Sequence, residues 1–482
     1  MKKFITISSL VPILFIAGCS QIPSYEHPKT ELPKTWPSEN AGLVLQMNVD
    51  DKSWWQQLSG DQSLQTLIDE ALEHNSDIAL AKLNLLQAQS LLKQSQSSRF
   101  PEIGLTAGLS RTQTSDEAYP QFTQTSYGNF SLGTLLSYEL DLWGKVDALN
   151  QQAEANLNAT QADYQTVKLT VSAAVANAYL NLMALNQDVE LAENTVQSRK
   201  EALELRQTQL EYGSVTPLSV HQAEAELASV ELAFNQQQVQ RDLQLHALAV
   251  LVGRSPKSLM TMSRETLQTN KLTLIESLPL PNILPSELLE RRPDILAAEQ
   301  RLIAANANIG LAKAALFPSI SLTGLVGFQS EALNRLFAAG SNNWNASADI
   351  NAPIFDYGRR QTNVEVSEIE KQAMLIQYQQ TIRTAFKEVL DAMTQLEGSY
   401  KQLEAQQHQV TALQQTLDLA QTRFDAGYSS YLEVLDAQRN LFSAELSQVA
   451  VKLTYSTALV NLYKALGGNW ETQTAKNPSI KG

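Results

Sequence analysis

The sequence predicts a mainly α-helical chain with membrane β-strands, on three observations. Two very long stretches, Lys145 to Tyr212 and Arg359 to Ala426, hold no Pro and a single Gly, Gly398. Pro and Gly are the residues most hostile to a helix interior, so each stretch reads as one continuous helix. Segments ahead of each helix alternate apolar with small or polar residues, the period of a strand. The whole pattern then occurs a second time, so the fold contains an internal two-fold repeat.

Residues 1–18 read as a secretory leader, with Lys2 and Lys3, an apolar run from Phe4 to Ile16, then small residues. Ile16-Ala17-Gly18-Cys19 resembles the lipobox of bacterial lipoproteins, which are cleaved before the cysteine and acylated on it. Cys19 is the single cysteine of the chain, so no internal disulfide exists and a thiolate metal site is excluded. Several acyl chains on one residue give stable anchoring, which one chain alone does not. Ser20 follows, where an Asp tends to retain bacterial lipoproteins at the inner membrane; its absence favours the outer membrane. Residues 20–45, rich in Pro and polar residues, read as an extended tether. Trp54-Trp55 and a short amphipathic helix near Ser63 to Glu73 come next.

Ile103, Leu105, Ala107 and Leu109 then alternate with Gly, Thr, Gly and Ser. Phe130, Leu132, Leu136, Tyr138, Leu140 and Leu142 follow the same period. The second half repeats this with Ile320, Leu322, Gly324, Val326 and Phe328, then Trp344, Ala346, Ala348, Ile350, Ala352 and Ile354. Such runs match transmembrane strands, which need roughly 9–11 residues; a soluble half-buried sheet is the competing reading. Four strands do not close a barrel around a lumen. In lipid an open edge leaves backbone groups without partners, at a cost of several kcal/mol each. The edges are therefore expected to pair with other copies of the chain.

The long helix of the first half turns at Gly213 and returns from Leu218 to Val252; that of the second turns at Gly427 and returns from Leu432 to Leu466. At about 1.5 Å per residue each outgoing helix spans on the order of 100 Å. One seam reads Leu182, Leu185, Val189, Ala192, Val196, Leu203, Leu210; a second reads Leu432, Leu435, Arg439, Phe442, Leu446, Val449. Steps of three and four mark supercoiled helices. The repeat is held in register: Phe100-Pro101 returns 217 residues on as Phe317-Pro318, and Gly213 returns 214 residues on as Gly427. The change of three falls in the strand region.

Net charge is −14, two units lower once Lys2 and Lys3 leave with the leader, and no basic cluster appears. Nucleic acid is thus not expected as a partner. His27, His74, His221, His246 and His408 are scattered at spacings that match no metal motif, and no phosphate-binding glycine loop is present. No catalytic constellation, metal or cofactor is expected.

Several runs carry a family resemblance. Ser137-Tyr138-Glu139-Leu140-Asp141-Leu142-Trp143-Gly144-Lys145 resembles a strand-to-helix junction of outer-membrane factors. Leu289-Glu290-Arg291-Arg292-Pro293-Asp294-Ile295 and the turn segment Tyr431-Leu432-Glu433-Val434-Leu435-Asp436-Ala437-Gln438-Arg439 fit the same pattern. Over nearly its whole length the chain resembles the TolC-like outer-membrane factor family, in the lipoprotein branch, NodT- or OprM-like, of RND tripartite efflux systems. The resemblance implies a homotrimer. Each protomer would give four transmembrane strands to a shared 12-stranded barrel and its long antiparallel hairpins to a periplasmic α-barrel, with a small mixed equatorial domain. The expected organisation is a lipoprotein signal peptide 1–18, a lipidated tether and equatorial segment 19–60, a first repeat 61–253, an equatorial linker 254–285, a second repeat 286–467 and an equatorial tail 468–482. Within the repeats, strands are expected at about 102–114, 127–142, 318–329 and 343–355, and hairpins at 145–252 and 359–466.

By the same resemblance, the protein is the lipid-anchored outer-membrane exit duct of a multidrug efflux pump and passively conducts what its partners deliver. Those partners are a periplasmic membrane-fusion adaptor, an inner-membrane RND-type transporter and outer-membrane lipid. Gly213 and Gly427 mark adaptor-docking tips. Leu432, Asp436 and Arg439, with Glu433 beside them, form a periplasmic aperture in which Leu432 constricts and Asp436 gives a carboxylate ring paired to Arg439. The Asp436–Arg439 pair reads equally well as a solvated intrahelical ion pair. A channel for type I protein secretion and a non-transport envelope spacer are the other functional readings, and the identity of the cargo is not legible.

Overall fold

The computed structural model describes residues 20–28, 31–36, 62–113, 126–261 and 285–468. The leader, Cys19, Trp54-Trp55, the polar loop after Gln113, most of the linker after residue 254 and the tail after residue 468 lie outside the described residues. The chain divides into two compact units, one of Met1–Lys29, Leu86–Thr160 and Ala298–Tyr378, the other of Thr30–Leu85, Gln161–Ala297 and Gln379–Gly482.

In chain order the elements are α1 (Gln62–His74), α2 (Ser76–Ser97), β1 (Glu102–Gln113), β2 (Ser126–Leu140), α3 (Lys145–Glu211) and α4 (Pro217–Leu251). They continue with α5 (Pro256–Thr261), α6 (Leu288–Arg291), α7 (Pro293–Ala314), β3 (Ser319–Ser330), β4 (Asn342–Asn351), α8 (Arg359–Asp425) and α9 (Tyr431–Ala465). The repeat is visible in helix lengths. α2 and α7 each have 22 residues, α3 and α8 each have 67, and α4 and α9 each have 35.

The first unit holds a four-stranded antiparallel sheet in the order β1-β2-β3-β4. Directly paired residues share a face, so the register sorts the side chains. One face carries the rows Ile103–Leu136–Gly324–Ala346 and Leu105–Thr134–Val326–Trp344. The other carries Thr106–Gly133–Gly327–Asn343, Ser137–Thr323–Ser347 and Glu139–Ser321–Asp349. On the apolar face Ile103, Leu105, Val326 and Trp344 are exposed. An exposed, continuous apolar sheet face is costly in water and suited to lipid. The fourth strand stops at Asn351, short of the expected 355. Pro353 has no N–H to give to the ladder, which ends the pairing. Among the described residues β1 pairs only with β2 and β4 only with β3, so both outer edges are open.

Two local devices set up this unit. Asp141 Oδ2 accepts the N–H of Asp147 at 3.0 Å, and Asp356 Oδ2 accepts that of Arg360 at 3.3 Å. Each satisfies a donor in the first turn of a long helix that has no intrahelical acceptor. Residues 20–28 run without helix or strand along α7. Asn306 donates to the Pro23 carbonyl at 2.8 Å, and Tyr25 donates to Glu299 at 3.2 Å.

The second unit is a helical core. Leu64, Leu67, Ile68 and Ala71 of α1 pack with Val175, Tyr179 and Leu182 of α3, Leu248 of α4, Val389 and Leu396 of α8, and Leu459 and Leu462 of α9. Amphipathic faces buried against one another, rather than intrinsic propensity, hold helices of this length in place.

Candidate functional site at the helical turns

Both hairpin turns close in the same way. The N–H of Gly213 donates to Leu210 O at 2.9 Å and that of Ser214 to Gln209 O at 2.8 Å. The N–H of Gly427 donates to Phe424 O at 2.9 Å and that of Tyr428 to Arg423 O at 2.8 Å. This double closure needs a left-handed residue after the helix, and the two glycines have φ of +69° and +76°. A Cβ at either position would touch nothing, so backbone conformation and not space requires glycine there. Pro217 then opens α4, where its missing N–H has no helical acceptor anyway.

Past the second turn, the first helical residues of α9 split between two faces. Tyr431, Val434, Leu435 and Ala437 are buried with Ala420 of α8 against Leu417 and Phe424. Leu432, Glu433, Asp436 and Arg439 are exposed on the other side. The expected aperture residues therefore share one solvent-facing strip. Arg439 and Asp436 approach to 3.8 Å, within ion-pair range and beyond a hydrogen bond. The close partner of Arg439 is Glu226 of α4, at 2.5 Å from Nε to Oε2. The Glu226 side chain is 5% exposed, against 63% for Asp436. A carboxylate withdrawn from water interacts more strongly with a nearby cation than a solvated one does. Glu433 lies 3.6 Å from Arg423 of α8.

Sequence reasoning missed Glu226. It also missed Arg199 and Arg206, which occupy the two gaps in the seam Val196, Leu203, Leu210 at heptad spacing. Both are 6% exposed. The Arg206 guanidinium sits 4.0 Å from the Tyr431 ring centroid and 4.8 Å from that of Phe424. Cation–π contacts of this kind contribute about 0.5–2 kcal/mol each and offset part of the desolvation. Burial pulls the Arg199 guanidinium below its ordinary value. Glu226 and Tyr431 oppose this, while the charge of Arg439 adds to it. The turn region is thus a buried cationic cluster with one buried carboxylate, placed beneath a strip of exposed carboxylates. Cys19, the expected lipid site, lies outside the described residues.

The family model of the outer membrane efflux proteins matches residues 67–254 and 284–468, the two repeats in turn. The chain belongs to the outer membrane efflux protein family. It is 36% identical over 480 residues to the toluene efflux pump outer membrane protein TtgC of Pseudomonas putida, covering 98% of this chain and 96% of TtgC. It is 33% identical over 465 residues to the cation efflux system protein CusC of Escherichia coli K12, covering 94% and 97%. The structure resembles the CmeC outer membrane channel of Campylobacter jejuni with a TM-score of 0.87 at 28% identity, covering 94% and 96%. It resembles the open MtrE outer membrane channel of Neisseria gonorrhoeae with a TM-score of 0.79 at 31% identity, covering 94% and 98%.

The family consists of outer-membrane channels, and this member is an outer-membrane exit duct of an efflux pump. Among the described residues no helix is long and apolar enough to cross a membrane, and no group of three His, Cys, Asp or Glu is placed to hold a metal ion.

Proposed function

We propose that three copies share one 12-stranded barrel in the outer membrane and conduct passively what an inner-membrane RND-type transporter delivers through a periplasmic membrane-fusion adaptor. The observation that carries this reading is a sheet with an exposed apolar face and two open edges. Such a sheet satisfies its backbone in lipid only by closing with other copies. The acylated Cys19 anchors the chain, and the turns at Gly213 and Gly427 meet the adaptor.

Relatives of almost equal similarity are named for different cargoes. Two of those 36% identical carry the names toluene efflux and antibiotic efflux, and one 34% identical is named for cation efflux. Cargo choice therefore belongs to the transporter and adaptor. Leu432, Asp436, Arg439 and Glu433 form the aperture, and Glu226 holds Arg439 in place beside Asp436.

Planar-bilayer recordings test this reading. Asp436→Ala removes an exposed carboxylate from the strip and is expected to raise single-channel conductance and reduce cation preference. Unchanged conductance together with unchanged cation preference removes the aperture assignment. A deletion strain whose susceptibility to toxic small molecules is unaltered counts against the efflux role.

A further inference from the structure

The second repeat carries a seat that the first lacks. Residues 20–28 lie along α7 as a strap, and a Cβ at Gly310 would fall 2.6 Å from Ile22 Cγ1 and 2.9 Å from Ile22 Cα. A larger residue at Gly310 would push the strap off the helix. The repeat counterpart of Gly310, 217 residues earlier, is Lys93, exposed on α2. At the end of the strap Ser20 rests on Gly144, where a Cβ would lie 3.1 Å from the Ser20 Cα. At Gly358, the counterpart of Gly144, a Cβ would meet nothing within 4 Å. The strap thus brings the residue next to Cys19 to the foot of the β2–β3 seam. There Trp143 stacks on Phe317 with ring centroids 4.8 Å apart. Aromatic residues of this kind mark the boundary between membrane and water.

Farther along the same seam, on the apolar face, lies an open dent of about 410 Å³. Ile103, Leu136, Val326 and Trp344 wall it, and Thr134 and Gly324 are its small residues. Crowding does not force glycine at 324. A Cβ there would meet only Leu136 Cβ, at 3.8 Å, an ordinary contact, whereas at Gly327 one would lie 2.3 Å from Leu132 O. Gly324 has no positive φ either. Glycine inside a strand weakens it and often marks the close approach of another group. What Gly324 leaves here is the dent.

We propose that the dent seats an acyl chain of Cys19, so that strap, lipid and sheet form one attachment. This rests on the reading that Cys19 is acylated. Gly324 stands six residues beyond Pro318, or about 20 Å along the strand. Barrel strands tilt by about 35–45°, so the dent lies about 15 Å above the foot of the seam. That is the reach of a chain spanning one leaflet of a hydrocarbon core about 30 Å thick. Tethering favours this occupant over free lipid, because the strap already holds the start of the chain beneath the dent.

Photocross-linking in native outer membranes tests the seat. Cells are fed a fatty acid with a diazirine near its end, the membranes are irradiated, and the digested protein is mapped by mass spectrometry. The Cys19 peptide is expected to be joined through its acyl chain to the peptides that hold Gly324 or Trp344. Gly324→Leu fills the dent and is expected to abolish that product. Thr134→Leu fills it from β2 and is expected to do the same, which covers the case where one variant assembles poorly. Ala348→Leu, on the same face outside the dent, is expected to leave the product unchanged. Acyl cross-links from Cys19 spread evenly over the apolar face, or unaltered by both filling variants, overturn the seat and leave the anchor standing. A mature chain whose intact mass carries no acyl group overturns both.

Discussion

Arg292 Nη1 donates to the main-chain carbonyl of Ala465 at 2.9 Å, and 217 residues earlier Asn75 Nδ2 makes the equivalent donation to Leu251 at 2.7 Å. Each ties the last turn of a returning helix to the start of α2 or α7. Those last-turn carbonyls lack helical donors, so the side chain satisfies a group that is otherwise costly to bury. Arg292 goes further and reaches Asp294 at 2.6 Å and Glu388 at 2.7 Å. The Arg-Arg-Pro-Asp run is therefore a joint between helices. Arg292→Ala is expected to destabilise the protein by about 2–3 kcal/mol, read as a lower melting temperature in detergent. Arg292→Asn keeps the one donor that suffices at Asn75 and is expected to recover part of the loss. Equal losses for the two variants would contradict the joint.

Glu226 and Arg439 couple the two hairpins across 213 positions of sequence. A double-mutant cycle of Glu226→Gln and Arg439→Ala is expected to give a coupling of about 1–3 kcal/mol. Glu226→Gln also leaves Arg199 buried without its carboxylate, so its single cost is expected to exceed that of Asp436→Ala, whose side chain is solvated. Additive single effects would show that the pair contributes nothing.

The glycine turns give a graded series. Gly427→Ala meets no atom and forces only a left-handed alanine, at about 1–2 kcal/mol. At Gly253 the φ is +82° and a new Cβ would lie 2.3 Å from the His74 carbonyl oxygen. Gly253→Ala is therefore expected to cost more than Gly427→Ala. Thermal melts of the two variants rank them, and the reverse order would contradict the contact.

Asp188 of α3 has its Oδ1 buried without a hydrogen-bond partner among the described residues, and burial pushes its carboxyl up to about 6. The folded state thus holds this proton more tightly than the unfolded chain. The sign follows from linkage: the contribution favours folding fully below the unfolded value near 4 and is lost as pH rises through about 6. Asp188→Asn is expected to stabilise the protein at pH 7 by about 1–2 kcal/mol, after discounting for the solvent that still reaches the group. It should also flatten the pH dependence of the melting temperature between pH 4 and 6. A variant that melts at the wild-type temperature at pH 7 would contradict the assignment.

Most of the fold was legible because its signals are local. A run without Pro or Gly, a glycine at its end and a period of two in the strands each show within a short window. The helix α3 ends at Glu211 beside Gly213, and β1 spans Glu102–Gln113, where the alternation lies. The candidate site was only half legible. Leu432, Asp436 and Arg439 were picked out by the family resemblance, and their spacing sets them on one exposed helix face. Glu226, Arg199 and Arg206 are charged residues at buried seam positions, and hydrophobic periodicity passes over them as interruptions. Their meaning lies in which helix they face, and that is set by packing between hairpins far apart in the chain.

Copy number decides the central claim most directly. The intact mass of the detergent-solubilised protein, measured without cross-linker, is expected to equal three acylated chains. A stable particle of one chain, its open strand edges facing no second copy, would contradict a barrel built by sharing.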